Sequence, residues 1–372
     1  MPSPIQNFAG LSHNDSCTGG QCGAGWPPDP NGDVGPNHYI EAVNDAIAIY
    51  DKSGTLVASF TEDNLWSGQG SLCDGNSQGD PVVAYDWLAD RFVLSWFAFT
   101  GDGTSPPFFQ CIAASKTSDP VAGGWWLYPV RMDPGTPGSP PVGDFNDYVK
   151  LGLWHDCLYL AANEFTPLSA YDGVAFASLS RADLYSGAPL TFSLGWLPPS
   201  TNAFTMIPSN NQGKGAKAAQ PGTPNYFVSE SGSVFDFEVR TFKAGPNCGA
   251  GGTLSAPTNV SQAQYSFANL GDEVPQPNTT RKLDSSDDRL MQKVQYRKIG
   301  VTESLWVTHD VDPCSDVSCT TRGPTAMQWA QIDVTGGTIV TTPVQQQIYT
   351  PDSTLYRWMG SLAIDGQGNM AL

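Results

Sequence analysis

The sequence predicts an all-β fold, a β-propeller of four-stranded antiparallel blades. Three observations lead there. A strand–turn–strand pattern returns several times along the 372 residues. Its second strand is apolar on both faces, as in "RFVLSWFAF". Gly and Pro are abundant, at 39 and 30 residues, without the strict period of a fibrous chain. A sheet with one wet face alternates apolar and polar positions, whereas a blade packed between neighbours does not. A sandwich leaves half its strand surface wet, and a β-helix has shorter, more even coils. The propeller fits the repeat better than either.

The units can be taken in order. "GDVGPNHYIEAVND", "AIAIYD" and "TLVASF" open the chain, and "VVAYD", "RFVLSWFAF", "FFQCIAAS" and "GGWWLYPV" follow as four strands. "DYVKLGLWHDCLYLAANEF", "GVAFASLS" and "PLTFSLGW" form the third unit. The fourth is weaker, in "FTMIPSNNQG", "NYFVSES" and "VFDFEVRTF". The fifth reads "LMQKVQYRKIG", "SLWVTHDVD", "TAMQWAQIDV" and "GTIVTTPV". A polar residue marks the turn before each second strand: Asn37, Asp90, Asp156, Asn225, Glu303 and Asn369, spaced by 53, 66, 69, 78 and 66. Such side chains bond their own backbone and favour tight turns. The sixth unit begins at Gly360 and stops at Leu372. Six or seven blades are therefore expected in the full-length protein, with the C-terminal blade incomplete in this chain. Residues 1–26 read as a disulfide-clipped N-terminal segment, and 27–372 as one propeller domain. Long insertions are expected near 195–225, 244–290 and 341–358.

Composition narrows the function classes. Eighteen Lys and Arg against 36 acids give a net charge of −18, which repels a phosphate backbone and argues against nucleic acid. The eight cysteines suit an oxidising compartment, and Cys17/Cys22 and Cys314/Cys319 are spaced for local clips. No run approaches the length of a membrane span. "MPSPIQNFAG" lacks a basic start and an apolar core, so the leader of an exported protein is expected outside this chain.

The stretches "DVGPNHYIEAVNDAIAIYDKSG", "GDPVVAYDWLADRFVLSWF" and "SLAIDGQGNMAL" resemble a family of secreted, mostly bacterial, largely uncharacterised propeller-like proteins, across residues 27–372. The resemblance implies the propeller and a secreted, cell-surface or periplasmic location. It supplies no catalytic residues.

In a propeller, loops entering the inner strands and the ends of the second strands lie at one mouth. Asp33, Asp80, Asp144 and Asp147 fall in the first class; Asn44, Glu164, Glu230, His309 and Asp310 fall in the second. Converging carboxylates need a proton, a cation or a charged ligand. Calcium is the expected cofactor, with Asp33, Asp144 and Asp147 as candidate ligands. Asp80 and Asp144 are the candidate catalytic pair for glycan cleavage, with His309 as an alternate proton carrier. Glu164, Glu230 and Asp310 are candidate binding residues, and Trp126 and Trp154 are candidate stacking surfaces for sugar rings or peptides, with Trp26 and Trp66 as further options. His13, His38 and His155 fall in separate loops, where turn or solvent roles are simpler. The leading expectation is an exported module that binds an extracellular glycan or protein. A carboxylate-dependent or metal-assisted glycan-cleaving enzyme is the alternative, and a structural module of a larger surface protein is a third class.

Overall fold

The computed structural model describes residues 5–12, 15, 27–167, 169–211, 213, 217–232, 234–265, 274–286, 289–313 and 324–372. Cys17, Cys22, Cys314, Cys319, His13 and Trp26 lie outside the described residues.

The fold class is the β-propeller, with five blade sheets among the described residues. The first blade is β1 (Asn31–Val34), β2 (His38–Val43), β3 (Ala46–Asp51) and β4 (Leu56–Thr61), followed by the short helix α1 (Glu62–Trp66). The second is β5 (Ser77–Asp86), β6 (Arg91–Ala98), β7 (Phe109–Ser115) and β8 (Trp125–Arg131). The third is β9 (Phe145–Leu153), β10 (Cys157–Phe165), β11 (Tyr171–Ser180) and β12 (Phe192–Leu197), with helix α2 (Arg181–Ser186) between its last two strands. The fourth is β13 (Ile207–Pro208), β14 (Asn225–Glu230), β15 (Asp236–Lys243), β16 (Thr253–Leu254) and β17 (Thr258–Ser261); both of the last two pair with β15. A two-stranded ribbon follows, β18 (Val274–Pro275) and β19 (Lys282–Leu283). The fifth blade is β20 (Gln295–Ile299), β21 (Thr302–Val311), β22 (Ala326–Asp333) and β23 (Gln345–Tyr349). A hairpin of β24 (Ala363–Ile364) and β25 (Met370–Ala371) comes last.

The register shows why the strands lack a wet face. In the second blade Val83 faces Leu94, Leu94 faces Ala113, and Ala113 faces Leu127. The alternate row, Ala84, Val93, Ala114 and Trp126, is apolar as well. Every residue of β6 after Arg91 is buried. Asn37, Asp90, Asp156 and Asn369 sit in turns or just before a strand, and Asp156 Oδ1 accepts from Cys157 N at 2.7 Å. Asn225 and Glu303 instead lie within β14 and β21, and Asn225 Oδ1 accepts from Ser209 N at 3.1 Å across the blade.

Two expectations change. The last strand of the fifth blade is Gln345–Tyr349 rather than "GTIVTTPV", since Pro343 has no N–H to give a ladder. The segments 195–225, 244–290 and 341–358 are not wholly insertions: they hold β13, β16 to β19, and β23.

The chain divides into two compact units. The first comprises Met1–Val149, Ala162–Leu197 and Asn247–Ala250; the second comprises Lys150–Ala161, Pro198–Pro246 and Gly251–Leu372. The first unit's core is built on Ile40, Ile49, Val83, Phe92, Leu94 and Trp96. The Cys73–Cys111 disulfide lies within it, joining residues 38 apart in sequence. Cys157 and Cys248 are also disulfide-bonded, and no described cysteine is free. In the same unit Ser180 caps α2 by accepting from Asp183 N, and Gly187 ends it at φ +78. A Cβ on Gly187 would stand 2.8 Å from the Trp126 ring, so this stop requires glycine. The second unit packs Trp306 and Trp329 against Leu362 and Ile364.

Candidate active site

The site lies in the first unit, where β9 begins and β10 ends. A cavity of about 380 Å³ is walled by Phe99, Phe145 and Phe165, with Asp102, Thr104 and Asp147 as polar lining. Phe145 is held by edge contacts with Phe97, Phe99 and Phe108, at centroid distances of 5.2, 5.3 and 5.6 Å. Strand alternation puts Phe145 and Asp147 on one face of β9 and turns Asn146 to the other. Asn146 is fully buried there, and its Nδ2 donates to Gln110 Oε1 at 2.9 Å.

Beside this wall stands a group of acids. Asp144 is 3% exposed and Glu164 is fully buried. Burial is the largest influence on Asp144. The charges of Asp172 and Asp133 add to it, and Asp144 is pushed up to about 7. Glu164 is raised well above its ordinary value, first by burial and then by Asp144, Asp133, Asp147 and Asp172. Neither oxygen of Glu164 has a hydrogen-bond partner. Asp133 anchors the cluster. Its Oδ1 accepts from Phe108 N at 3.1 Å and Arg131 Nε at 3.0 Å, and its Oδ2 accepts from Gly143 N at 3.0 Å.

Of the residues predicted from sequence, Asp144, Asp147 and Glu164 come together here. Asp80 does not pair with Asp144 as expected. Its Oδ2 accepts from Tyr148 N of β9 at 3.3 Å, and its own N–H donates to Asn44 Oδ1 at 2.8 Å. The acid whose charge acts most on Asp144 is Asp172, which sequence reading missed because it lies at the start of β11 with no motif around it. Asp33 is likewise a brace, with Oδ2 accepting from Tyr85 N at 2.8 Å. Among the described residues, no group of three or more His, Cys, Asp and Glu side chains forms a ready ligand shell.

The aromatic candidates divide. Trp154 is fully buried, edge-on to Tyr296 at 4.9 Å, with Nε1 donating to Thr223 O at 3.1 Å. It is a core residue and offers no stacking surface; Trp66, 1% exposed, is another. Trp126 is half-buried and carries Lys116 Nζ 4.1 Å from its ring centroid.

In the second unit, Glu230 and His309 meet in a separate buried cluster. His309 Nδ1 stands 3.6 Å from Glu230 Oε1, and the imidazole lies edge-on to Tyr265 and Phe237. Tyr265 Oη donates to Glu230 Oε2 at 3.3 Å, and Gln262 Nε2 donates to the same oxygen. His309 is fully buried, so a proton-carrying role would need an opening motion. Asp310 spends Oδ2 on Met359 N at 2.8 Å.

No family model matches the chain, and no curated protein matches it. Among solved structures it is similar to a GH43 β-1,3-galactosidase with galactodeoxynojirimycin, at 10% identity over 84% of this chain and 93% of that one, with a TM-score of 0.41. It is also similar to an exo-β-1,3-galactanase from Phanerochaete chrysosporium, at 9% identity, 87% and 66% coverage and a TM-score of 0.35. A putative exo-β-1,3-galactanase from Bifidobacterium bifidum gives 11% identity, 88% and 92% coverage and a TM-score of 0.36. At these values the likeness assigns no residue and no activity to this chain. No helix among the described residues is long and apolar enough to cross a membrane.

Proposed function

We propose that this protein cleaves an extracellular glycan with carboxyl groups of the Asp144–Asp147 segment. One observation carries the reading: Asp102 and Asp147 line a cavity walled by three phenylalanine rings, and Asp144, pushed up to about 7 by its burial, directly precedes that wall in the chain. Aromatic faces stack on the apolar faces of sugar rings. Cleaving the acetal between two sugars needs a proton for the leaving oxygen and a carboxylate for water or for the sugar carbon. Asp144 fills the first role and Asp147, on the cavity wall, the second. The charge of Asp172 favours the protonated form of Asp144, and Asp133 fixes the turn that presents both. Asp144 and Asp147 replace the Asp80–Asp144 pair expected from sequence.

The test is release of reducing ends from a panel of β-1,3-galactan, arabinan, xylan and chromogenic glycosides. Asp144→Asn and Asp147→Asn are compared with wild type at equal folded concentration. The reading expects turnover by wild type and its loss in both variants. The same cavity also suits the glycan-binding role, because ring stacking needs no chemistry. Retention on a glycan affinity gel, with no turnover by folded wild type, would replace the enzyme reading with that one.

A further inference from the structure

A second pair of buried acids lies in the first unit and has no part in the site above. Asp45 sits in the turn between β2 and β3, and Glu62 opens α1. Both are fully buried, and none of their four carboxyl oxygens has a hydrogen-bond partner. The backbone draws them together, since Glu62 N donates to Asp45 O at 3.1 Å. A third segment closes in where Ser77 N, at the start of β5, donates to Asp63 Oδ1 at 2.9 Å. The Ser77 hydroxyl, 6% exposed, is directed at Glu62 without closing a hydrogen bond.

The charges acting on this pair are all negative. Glu62 feels Asp45, Asp63 and Asp80, and Asp45 feels Asp63. Buried carboxyls without a counter-charge are costly unless a proton or a cation offsets them. The carboxyls of Asp45 and Glu62 make no hydrogen bond with each other or with any other group, which leaves all four oxygens available to a bound ion. Two carboxylates balance one doubly charged ion. Four carboxyl oxygens and one hydroxyl supply most of an oxygen shell of about six to eight, which suits calcium better than the strict octahedron of magnesium.

We propose that Asp45, Glu62 and Ser77 form a calcium site that ties the β2–β3 turn and α1 to the start of β5.

The test uses the whole protein after chelator treatment and desalting. Thermal unfolding and isothermal calorimetry are run with calcium chloride, and with magnesium chloride in parallel, on wild type, Glu62→Gln, Asp45→Asn and Asp144→Asn. Both site variants are isosteric and remove a buried charge, so they should fold. Calcium at ~1 mM should raise the wild-type Tm by roughly 3 °C or more, because an ion that binds only the folded state stabilises it by mass action. The shift should persist in Asp144→Asn and disappear in Glu62→Gln and Asp45→Asn, with Kd weakened at least ~30-fold. No calcium binding by wild type would overturn the proposal. So would an unchanged response in both site variants, a loss confined to Asp144→Asn, or an equal response to magnesium.

Discussion

Removing the Asp133 side chain should loosen the candidate site before it touches any reacting group. The carboxylate is fully buried and accepts from Phe108 N and Gly143 N, one on each oxygen. Asp133→Ala leaves both N–H groups buried without an acceptor, at ~1–3 kcal/mol each. Removing the charge also relieves Asp144 and Glu164, which offsets part of that cost. The net expectation is a loss of ~2–4 kcal/mol. Asp133→Asn keeps the shape but presents an amide donor to one of the two N–H groups, so it should fall about midway. Urea unfolding followed by tryptophan fluorescence reads both values. A midpoint for Asp133→Ala equal to that of wild type would show that Asp133 does not anchor the 143–145 turn.

Further outcomes follow from other contacts. In chelator, stability should fall as pH rises from about 4 through about 7, because folded Asp144 and Asp45 keep protons that the unfolded chain releases. Glu164 acts in the same direction. Thermal scans at pH 5 and 8 check this; a higher Tm at pH 8, or no flattening in Asp144→Asn, would refute it. Arg181 binds Asp86 Oδ2 through Nε at 2.8 Å and Nη2 at 2.6 Å, and Tyr185 Oη donates to the same oxygen at 2.7 Å. Arg181→Met should cost ~3–5 kcal/mol in urea unfolding by stranding that buried carboxylate, and a cost under ~1 would contradict the brace. Replacing Cys73 and Cys111 together by serine frees a loop closed across 38 residues and should lower stability by about 4 kcal/mol in the same assay, while an unchanged midpoint would refute a stabilising role.

The fold was legible because turn chemistry and strand burial repeat together. Asp90 and Asp156 directly precede β6 and β10, and the doubly apolar "RFVLSWFAF" became a strand buried on both faces. The site was legible only in part. "GDFNDY" flagged Asp144 and Asp147 as a dense acidic turn, and the end of β10 flagged Glu164. Asp172, Asp133 and the phenylalanine wall come from separate strands and loops, and no local spacing announces their meeting. Nothing in the local sequence marks Asp45 or Glu62; only burial separates them from the many other acids of this chain. Trp154 was misread because a tryptophan beside a turn looks exposed until Tyr226 and Tyr296 are seen around it.

The pH–rate profile of glycan turnover by wild type, Asp144→Asn and Asp147→Asn tests the central claim most directly. The account predicts wild-type cleavage that declines as pH rises through about 7, where Asp144 gives up its proton, and a loss of at least ~100-fold in each variant. Variants as active as wild type, or a folded wild type inert on the whole panel, would contradict it.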